Sequence, residues 1–180
     1  MLETGPMVPL IRHMYARMSS ARSLATATTI LDIGCGPGSA SYILLNEHAT
    51  ELPAGARVVA SDFSEGMVAQ VHKLRERQVA ALADGDAAKK LWLALEAYVW
   101  DAQDLSEQGD ATASHVIASL VLFMLPDATE ALREGYRVLE SGGVFSCSSV
   151  KRATWMEYVM EALGKDPSGF KMPTLSLIHI

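Results

Sequence analysis

Cysteine is scarce in this sequence of 180 residues, which contains two, Cys35 and Cys147. They lie far apart in the chain, and neither has another cysteine or a histidine at the spacing of metal ligands. The sequence therefore indicates neither a disulfide framework nor a zinc site, and we expect no bound metal. Because free cysteines are usual in a reducing compartment, the expected location is the cytoplasm.

Positive charge is also in short supply. The 15 lysines and arginines are outnumbered by 21 aspartates and glutamates, which leaves a net charge of −6 and a pI near 5.3. A chain of this charge has no general attraction for a phosphate backbone, so nucleic acid is not an expected partner. The composition leaves the oligomeric state open.

Long hydrophobic runs are missing as well. The longest stretch near the middle without Asp, Glu, Lys or Arg covers residues 111–126, contains His115 and is too short to span a bilayer. The N-terminal residues do not pass from charged to apolar in the manner of a secretory signal. With 49% apolar and 20% charged residues, the composition is typical of a soluble globular domain with one core.

The chain does contain a regular alternation of strand-length apolar runs and longer stretches with helical spacing. Such alternation predicts a parallel sheet covered by helices. A turn is predicted at Ser141-Gly142-Gly143, directly before the last strand. The five predicted strands lie at residues 29–33, 57–61, 96–100, 115–120 and 143–149.

Start and stop signals mark the helices between these strands. A helix is predicted over residues 39–48, and Ser64 has the position of an N-cap for the next helix. Asp84-Gly85-Asp86 ends that second helix. Asp127, followed three residues later by Glu130, has the form of a capping box.

The most informative segment joins the first strand to a helix through three glycines. Asp32 lies near the end of the strand, and Gly34, Gly36 and Gly38 follow at alternate positions. Glycines permit positive φ and a close approach of the backbone to a ligand, and amide groups at the helix start can face it. Tight turns and helix–strand packing alone also explain loops of this kind. The spacing differs from the Gly-x-Gly-x-x-Gly dinucleotide pattern, whose last position here would be Ser39.

A second carboxylate, Asp62, ends the next predicted strand. In a doubly wound fold, an acid at that position can accept hydrogen bonds from both ribose hydroxyls of an adenosine group. An N-cap or a solvated loop residue is the other interpretation of such an acid. Because Asp62 follows the glycine loop by one strand, we favour a ribose ligand.

Three later segments continue the series. The third strand leads into Trp100-Asp101-Ala102-Gln103-Asp104-Leu105, and the fourth begins at His115 and has Ser119 near its carboxyl end. Ser119 lies where ligands bind in open α/β sheets. Residues 133–145 have the pattern of a helix, a tight turn and a fifth strand.

In this order, from about residue 29 to residue 150, the segments resemble the class I S-adenosylmethionine-dependent methyltransferases that act on small molecules, and in particular the ubiquinone and menaquinone methyltransferase group. The resemblance implies a Rossmann-like, doubly wound α/β fold with a mainly parallel sheet and helices on both faces. It also implies S-adenosyl-L-methionine as cofactor and methyl transfer to a small-molecule acceptor by in-line displacement. Trp100 stands where the family has a glycine, and His115 stands where an aspartate is commoner. We interpret His115 as structural.

The resemblance also implies the residues of the cofactor site. Asp62 would bind the ribose, and Phe63 and Met67 would pack near the adenine. Asp101 and Ala102 would meet the adenine amino group and ring edge. The full expected set is Asp32, Gly34, Cys35, Gly36, Gly38, Asp62, Phe63, Met67, Asp101, Ala102 and Ser119.

No catalytic residue is identified from the sequence. The sulfonium of S-adenosylmethionine already carries a good leaving group, so orientation of the reactants, which can contribute up to about 7–11 kcal/mol in well-oriented cases, is the main requirement. His13, His72 and Tyr15 are the visible candidates for a base, and each lies in a helical stretch. An NAD(P)-binding Rossmann oxidoreductase and a non-catalytic adenosylmethionine-binding protein are the alternatives.

The resemblance divides the chain into four parts. Residues 1–28 form an N-terminal helical segment on the lid or acceptor side, residues 29–150 form the cofactor-binding core, and residues 151–174 begin a helical insertion. Methionines and aromatics in the insertion have helical spacing, which is more typical of a core than of a pocket. As a pocket lining they would suit a small lipophilic acceptor such as a quinone precursor, a sterol or a polyketide. We expect the final two strands of the family fold to be missing. Residues 175–180 match codons of a sequencing-library adapter, and we expect them to be non-native.

Overall fold

Five strands and five helices form the part of the chain that the computed structural model describes, residue 5 and residues 7–149. Short 3-10 turns at Leu24–Thr26 and Leu122–Met124 connect some of them. In chain order the elements are α1 (Val8–Ala21), β1 (Thr29–Ile33), α2 (Ser39–Glu47), β2 (Arg57–Asp62), α3 (Glu65–Ala81), α4 (Ala87–Ala94), β3 (Glu96–Val99), β4 (Ala113–Ser119), α5 (Ala128–Val138) and β5 (Leu139–Ser148).

The strands pair in parallel in the order β3-β2-β1-β4-β5. All residues of β1 are buried, as expected for a central strand covered on both faces. The chain passes from β1 to β2 on one side and later returns to β4 on the other side. This reversal of strand order opens a crevice at the carboxyl ends of β1 and β4, where open α/β sheets bind ligands. The predicted parallel α/β sheet is confirmed.

Each face of the sheet carries its own apolar core. Helices α1 to α4 share the larger core, to which α1 contributes residues spaced three or four positions apart. Helix α5 covers the other face, where Ala131 and Val138 pack with Leu31 and Val116. The helices therefore lie on both faces, as the resemblance implied. The buried residues of α1 are Val8, Ile11, Met14, Tyr15 and Met18.

The prediction of a turn before the last strand was wrong. β5 begins at Leu139, directly after α5, and Ser141, Gly142 and Gly143 lie inside it. The ladder with β4 pairs Ala113 with Leu139 and then His115 with Val144, so extra residues bulge out of β5 between these pairs. Gly142 has φ +76°, which allows the bulge without strain. Ser141, Gly142 and Gly143 are typical turn residues and so predicted a turn before β5. In the structure the backbone at these residues leaves the ladder with β4 and then rejoins it.

Two helix starts also differ from the prediction. Asp84-Gly85-Asp86 ends α3 as expected, but Asp86 also begins the unpredicted helix α4 by accepting a hydrogen bond of 2.8 Å from the Ala88 amide. Asp127 caps α5 through the Thr129 amide at 2.9 Å. The reciprocal half of the predicted capping box does not form, because the Asp127 amide donates to Gln103 Oε1 and the Glu130 carboxylate pairs with Arg133.

The predicted insertion at residues 151–174, the tail at 175–180 and the further strands of the family fold lie outside the described residues. None of the described helices combines the length and the apolar character needed to cross a membrane.

Candidate functional site

A cavity of about 520 Å³ opens at the carboxyl ends of the strands, where the order of the sheet reverses. Residues of the β1 and β2 ends, the segment after β3, the end of β4 and the start of α1 contribute to its wall. The structure brings together there, of the expected cofactor residues, Asp32, Gly34, Cys35, Gly36, Asp62, Phe63, Met67, Asp101, Ala102 and Ser119.

Gly38 is the expected residue that the cavity wall does not include. It precedes α2 with φ +91°, and a Cβ there would lie 3.2 Å from Leu74 Cδ2 and 3.3 Å from Val71 Cγ2 of α3. A glycine at this position therefore serves the backbone conformation and the packing of α3 against the loop. Its role in the structure is local support for the site.

The other two glycines shape the wall itself. Gly34 has φ +62°, and an added Cβ would come within 2.3 Å of Val121 Cγ2, so only a glycine lets Val121 pack there. Gly36 has φ +53° and nothing within 4 Å of an added Cβ, so its backbone borders open space. Between them, the Cys35 amide donates to the Ser61 carbonyl of β2 at 2.9 Å and ties the loop to the sheet.

Asp62 joins the end of β2 to the glycine loop. Its Oδ2 accepts a hydrogen bond of 2.9 Å from the Gly36 amide, and its Oδ1 accepts one of 2.9 Å from the Ser64 amide. None of the described residues forms a salt bridge with it. Since each carboxylate oxygen has a second lone pair, Asp62 keeps acceptor capacity at the cavity wall.

Asp32 is a buried carboxylate with one oxygen left unpaired. Its Oδ2 accepts hydrogen bonds from the Ser41 amide at 3.1 Å and the Ser41 hydroxyl at 2.8 Å, whereas Oδ1 has no donor among the described residues. Burial raises the pKa of Asp32 to about 7, and the nearby charge of Asp62 acts in the same direction. A buried acceptor without a donor is costly unless a ligand supplies one. Asp32 lines the cavity, so such a donor can reach it.

The β3 side of the cavity is polar at its base and aromatic at its rim. Asp101 accepts a hydrogen bond of 2.9 Å from the Gln103 amide, which closes a turn after β3 and presents Ala102 to the cavity. Phe63 is 77% exposed and Met67 is 36% exposed, so both stand at the open rim. These apolar side chains are available to cover a bound group.

The β4 side contains residues that the sequence did not single out. Leu120 lines the cavity with φ +57°, which is rare for a branched side chain. Its amide donates to both the carbonyl and the hydroxyl of Ser148 in β5, at 3.2 and 3.1 Å. No local sequence signal predicts a left-handed leucine. Val121, Met124 and Leu125 on this side, and Met7 and Ile11 at the start of α1, are further apolar residues of the wall that the sequence did not single out.

None of the three candidate bases lines the cavity. His13 and His72 are exposed on α1 and α3. Tyr15 is fully buried and donates to the Ala40 carbonyl at 3.0 Å, and burial raises its pKa. His115 is also buried, with its ring nitrogens 2.8 Å from Ser114 Oγ and 3.1 Å from the Arg22 carbonyl, in a position that supports β4.

Cys35 is the remaining titratable group of the wall. Burial, followed by the charges of Asp32 and Asp62, raises the pKa of its thiol, so it is not an activated nucleophile. Among the described residues, no group of three His, Cys, Asp or Glu side chains is placed to hold a metal ion. The chemistry available at the wall is therefore that of three carboxylates, backbone amides and apolar surfaces.

Comparison with protein families gives a match over most of the described chain. A family model described as "Methyltransferase domain" matches residues 31–147. This range runs from the first strand with its glycine loop to the fifth strand, so it contains most of the cavity wall.

Individual relatives agree with the family match. The chain is 34% identical over 134 residues to "Methyltransferase ucsB" from Acremonium sp., covering 74% of this chain and 45% of that protein. It is 32% identical over 136 residues to a demethylmenaquinone methyltransferase from Lactiplantibacillus plantarum, covering 76% and 51%. A crystal structure of a putative S-adenosyl-L-methionine-dependent methyltransferase from Methanococcus maripaludis aligns with a TM-score of 0.58 and 25% identity, covering 88% and 64%. The chain thus spans about half the length of the curated relatives it matches.

Proposed function

Because the chain belongs to the methyltransferase domain family, whose model matches residues 31–147, we propose that it binds S-adenosylmethionine and transfers the methyl group to a small-molecule acceptor. The observation that carries this proposal is the Asp62 carboxylate, held 2.9 Å from the Gly36 amide at the wall of the cavity. It sets an acid of the β2 end beside the glycine loop of the β1 end. A nucleoside with two ribose hydroxyls suits this acid, since each carboxylate oxygen can accept one more hydrogen bond.

The acids of the cavity wall support binding of each part of such a ligand, namely its ribose, its base and its amino-acid end. Asp62 would hold the ribose, and Asp101 and Ala102, after β3, would border the base. On the β1 side, Asp32 Oδ1 is buried and finds no donor within the described part of the chain, so it suits the ammonium group of the amino-acid end. The residues present therefore fit the cofactor at both ends.

The protein's own contribution to the reaction would be orientation and exclusion of water. When bound, the cofactor supplies a methyl group already attached to a good leaving group. Val121 packs against Gly34 at the floor of the cavity, and Leu120 stands beside it with a constrained backbone. Rigid walls of this kind hold two reactants in line, and such orientation contributes several kcal/mol, up to roughly 7–11 in favourable cases.

The acceptor would be small and apolar. The wall at α1 and after β4 is formed by Met7, Ile11, Leu120, Met124 and Leu125, none of which carries a charge. An apolar wall favours burial of an uncharged, lipophilic group. The name of the relative from Lactiplantibacillus plantarum gives a demethylated menaquinone as that protein's acceptor, which agrees in class with this wall.

Calorimetric titration of the full chain tests the proposal. S-adenosylmethionine and S-adenosylhomocysteine should bind in a one-to-one ratio, and NADH should not. Incubation with a panel of quinols, phenolic polyketides and sterols should then release S-adenosylhomocysteine, measured by mass spectrometry. Binding of NADH in place of S-adenosylmethionine would favour an oxidoreductase. Binding of S-adenosylmethionine without turnover on any acceptor would favour a non-catalytic binding protein.

A further inference from the structure

Alternate residues of the edge strand β3 and of the position directly after it lead toward the cavity on one face of the sheet. Glu96, Tyr98 and Trp100 are spaced two residues apart, so their side chains point to the same face. Ala97, between them, packs against the larger core on the opposite face. Because β3 is the edge strand of the described sheet, its outer side is not covered by another strand.

Contacts connect these side chains into a row. Arg57 of β2 holds Glu96 with two hydrogen bonds of 2.9 and 3.0 Å, and the Tyr98 hydroxyl donates to Glu96 Oε2 at 2.7 Å. The Tyr98 ring then lies parallel to the Trp100 ring, with 4.6 Å between centroids and 6° between planes. Each member restricts the next, so the orientation of the indole depends on contacts outside the cavity.

Trp100 itself is held at the cavity wall. Its amide donates to the Asp62 carbonyl at 3.2 Å, and its side chain packs against the core of the α5 face. Trp100 lines the cavity together with Asp101 and Ala102. Phe63, by contrast, is 77% exposed at the rim and is not fixed in this way. Trp100 is therefore the preorganised aromatic surface at the β3 end.

From this arrangement we infer that Trp100 contacts the base of the bound nucleoside and makes the β3 end of the cavity selective for a purine, with Tyr98 as the positioning residue that holds the indole. The inference rests on the proposed function, which places the ribose at Asp62. With the ribose there and the amino-acid end at Asp32 on the β1 side, the base extends toward β3. A flat, polarisable indole is well suited to a purine ring.

Two ligands that differ only in the base test the inference on the full chain. S-adenosylhomocysteine has the purine, and S-ribosylhomocysteine lacks it but keeps the sugar and the amino acid. Trp100→Ala should weaken S-adenosylhomocysteine by about tenfold or more, as for loss of a base–aromatic stack. Its affinity for S-ribosylhomocysteine, measured by ligand-observed NMR, should stay within twofold of wild type. Trp100→Phe should retain most of the S-adenosylhomocysteine affinity.

Variants of Tyr98 test the positioning role. Tyr98→Leu should lower the affinity for S-adenosylhomocysteine alone, by a smaller factor than Trp100→Ala. Tyr98→Phe should keep the wild-type affinity, because the stack with the Trp100 ring is kept. Tyr136→Leu, which removes an 81% exposed aromatic of α5, is the matched control and should change neither affinity. We also expect S-adenosylhomocysteine to change the tryptophan emission of the wild type, and Trp100→Phe should lose the part of that change that comes from Trp100.

Equal weakening of both ligands by Trp100→Ala would show a general structural effect and would overturn the inference, as would an unchanged affinity for S-adenosylhomocysteine in a folded variant. In either case binding by the wild type would leave the proposed function standing. Failure of the wild type to bind S-adenosylmethionine or S-adenosylhomocysteine would remove the proposed function and the inference together.

Discussion

At the scale of single residues, Asp62 shows how a side chain can serve both the fold and a ligand. Its two oxygens accept the Gly36 and Ser64 amides, so the carboxylate holds the glycine loop against the start of α3. The same group is the proposed acceptor for the ribose. A substitution therefore has two effects, and they can be separated by measuring stability and affinity on the same variant.

We expect Asp62→Ala to weaken S-adenosylmethionine binding by about 1.5–3 kcal/mol, the range for hydrogen bonds to a charged group. That free energy corresponds to a roughly ten- to hundredfold rise in Kd, which calorimetry measures. The control is Asp104→Ala, because Asp104 also caps a turn, through the Ser106 amide at 3.1 Å, but does not line the cavity. An unchanged affinity in a folded Asp62 variant would contradict the assignment.

Asp32 should make the stability of the ligand-free protein depend on pH. Its pKa is raised to about 7 in the folded state because the carboxyl is buried, whereas an unfolded aspartate titrates near about 3.9. The folded state then binds the proton more tightly than the unfolded state. The contribution of Asp32 is fully favourable below about pH 4 and is lost as pH rises to about 7.

Asp32→Asn should remove this part of the pH dependence, because an amide keeps an acceptor for Ser41 and carries no charge. Thermal unfolding between pH 4 and pH 8 measures it. The variant should gain stability relative to wild type as pH rises across this window, and its affinity for S-adenosylmethionine should fall. A constant difference in Tm between the two proteins over the whole window would contradict the raised pKa.

Leu120 has a backbone conformation that favours glycine. At φ +57° a leucine is strained by roughly 1–2 kcal/mol relative to glycine. The Leu120 amide is held in this position by two hydrogen bonds that it donates to the carbonyl and hydroxyl oxygens of Ser148. The strain brings Leu120 to the cavity wall and Val121 onto Gly34, so it lies where a functional role is expected.

We expect Leu120→Gly to be more stable than Leu120→Ala by about 1 kcal/mol, since only the first relieves the strained backbone. Urea unfolding of the two variants measures the difference. Leu93 lies on helix α4 and is 52% exposed. There, Leu93→Ala should be more stable than Leu93→Gly by about 1 kcal/mol, as is usual within a helix. The same order at both sites would argue against backbone strain at Leu120.

At the scale of elements, α5 holds the segment between β3 and β4, which contains no helix of its own. Glu134 accepts the Leu105 amide at 2.7 Å, and Arg137 donates to the Leu105 carbonyl at 2.8 Å and the Gln108 carbonyl at 3.1 Å. Arg137 also pairs with Glu134 and Asp110. Asp101 and Ala102, at the cavity wall, belong to the segment that this helix fixes.

We expect Arg137→Met to destabilise the protein by about 1–3 kcal/mol, because two loop carbonyls lose their donor and Glu134 loses its charged partner. Affinity for S-adenosylmethionine should fall with it. Arg133→Met, on the same helix, removes only the exposed pair with Glu130 and should cost at most about 0.5 kcal/mol. Urea unfolding of both variants provides the measurement. Equal losses of stability would show that the contacts of Arg137 contribute no more than a surface ion pair.

Helix and strand positions were largely predictable at this scale. Thr29–Ile33 forms β1 as predicted, and residues 39–48 contain α2. Both are buried, and the greater length of the second segment and the glycines before it distinguish the helix from the strand. The start of β5 was not predictable. Gly142 and Gly143 have the composition of a turn, and in the structure they lie in the bulge between the two parts of β5 that pair with β4.

At the scale of the whole molecule, the proposed ligand touches the ends of the central strands and so should stabilise both cores at once. A ligand that binds only the folded state at about 100 times its Kd adds about 2.7 kcal/mol to the free energy of unfolding. For a chain of this size we expect a rise in Tm of roughly 5–10 °C, measured by scanning calorimetry with S-adenosylhomocysteine. NADH at the same concentration is the control, and an equal rise with NADH would contradict the proposed cofactor.

The sequence by itself determined the class of fold and the outline of the site. Alternating apolar periods specify a parallel sheet, and Asp32, the glycine loop and Asp62 lie at the carboxyl ends of strands, which must meet at one edge. These conclusions depend on spacing along the chain, which local backbone geometry converts directly into position.

Only the tertiary structure decided what each side chain faces. Gly38 supports α3 and does not line the cavity, Leu120 takes a left-handed conformation held by β5, and Trp100 is oriented by a row that begins at Arg57. Partners in these contacts lie up to 39 residues apart in sequence, as Arg57 and Glu96 do. Such contacts depend on strand order and packing, which neighbouring residues in the chain do not encode.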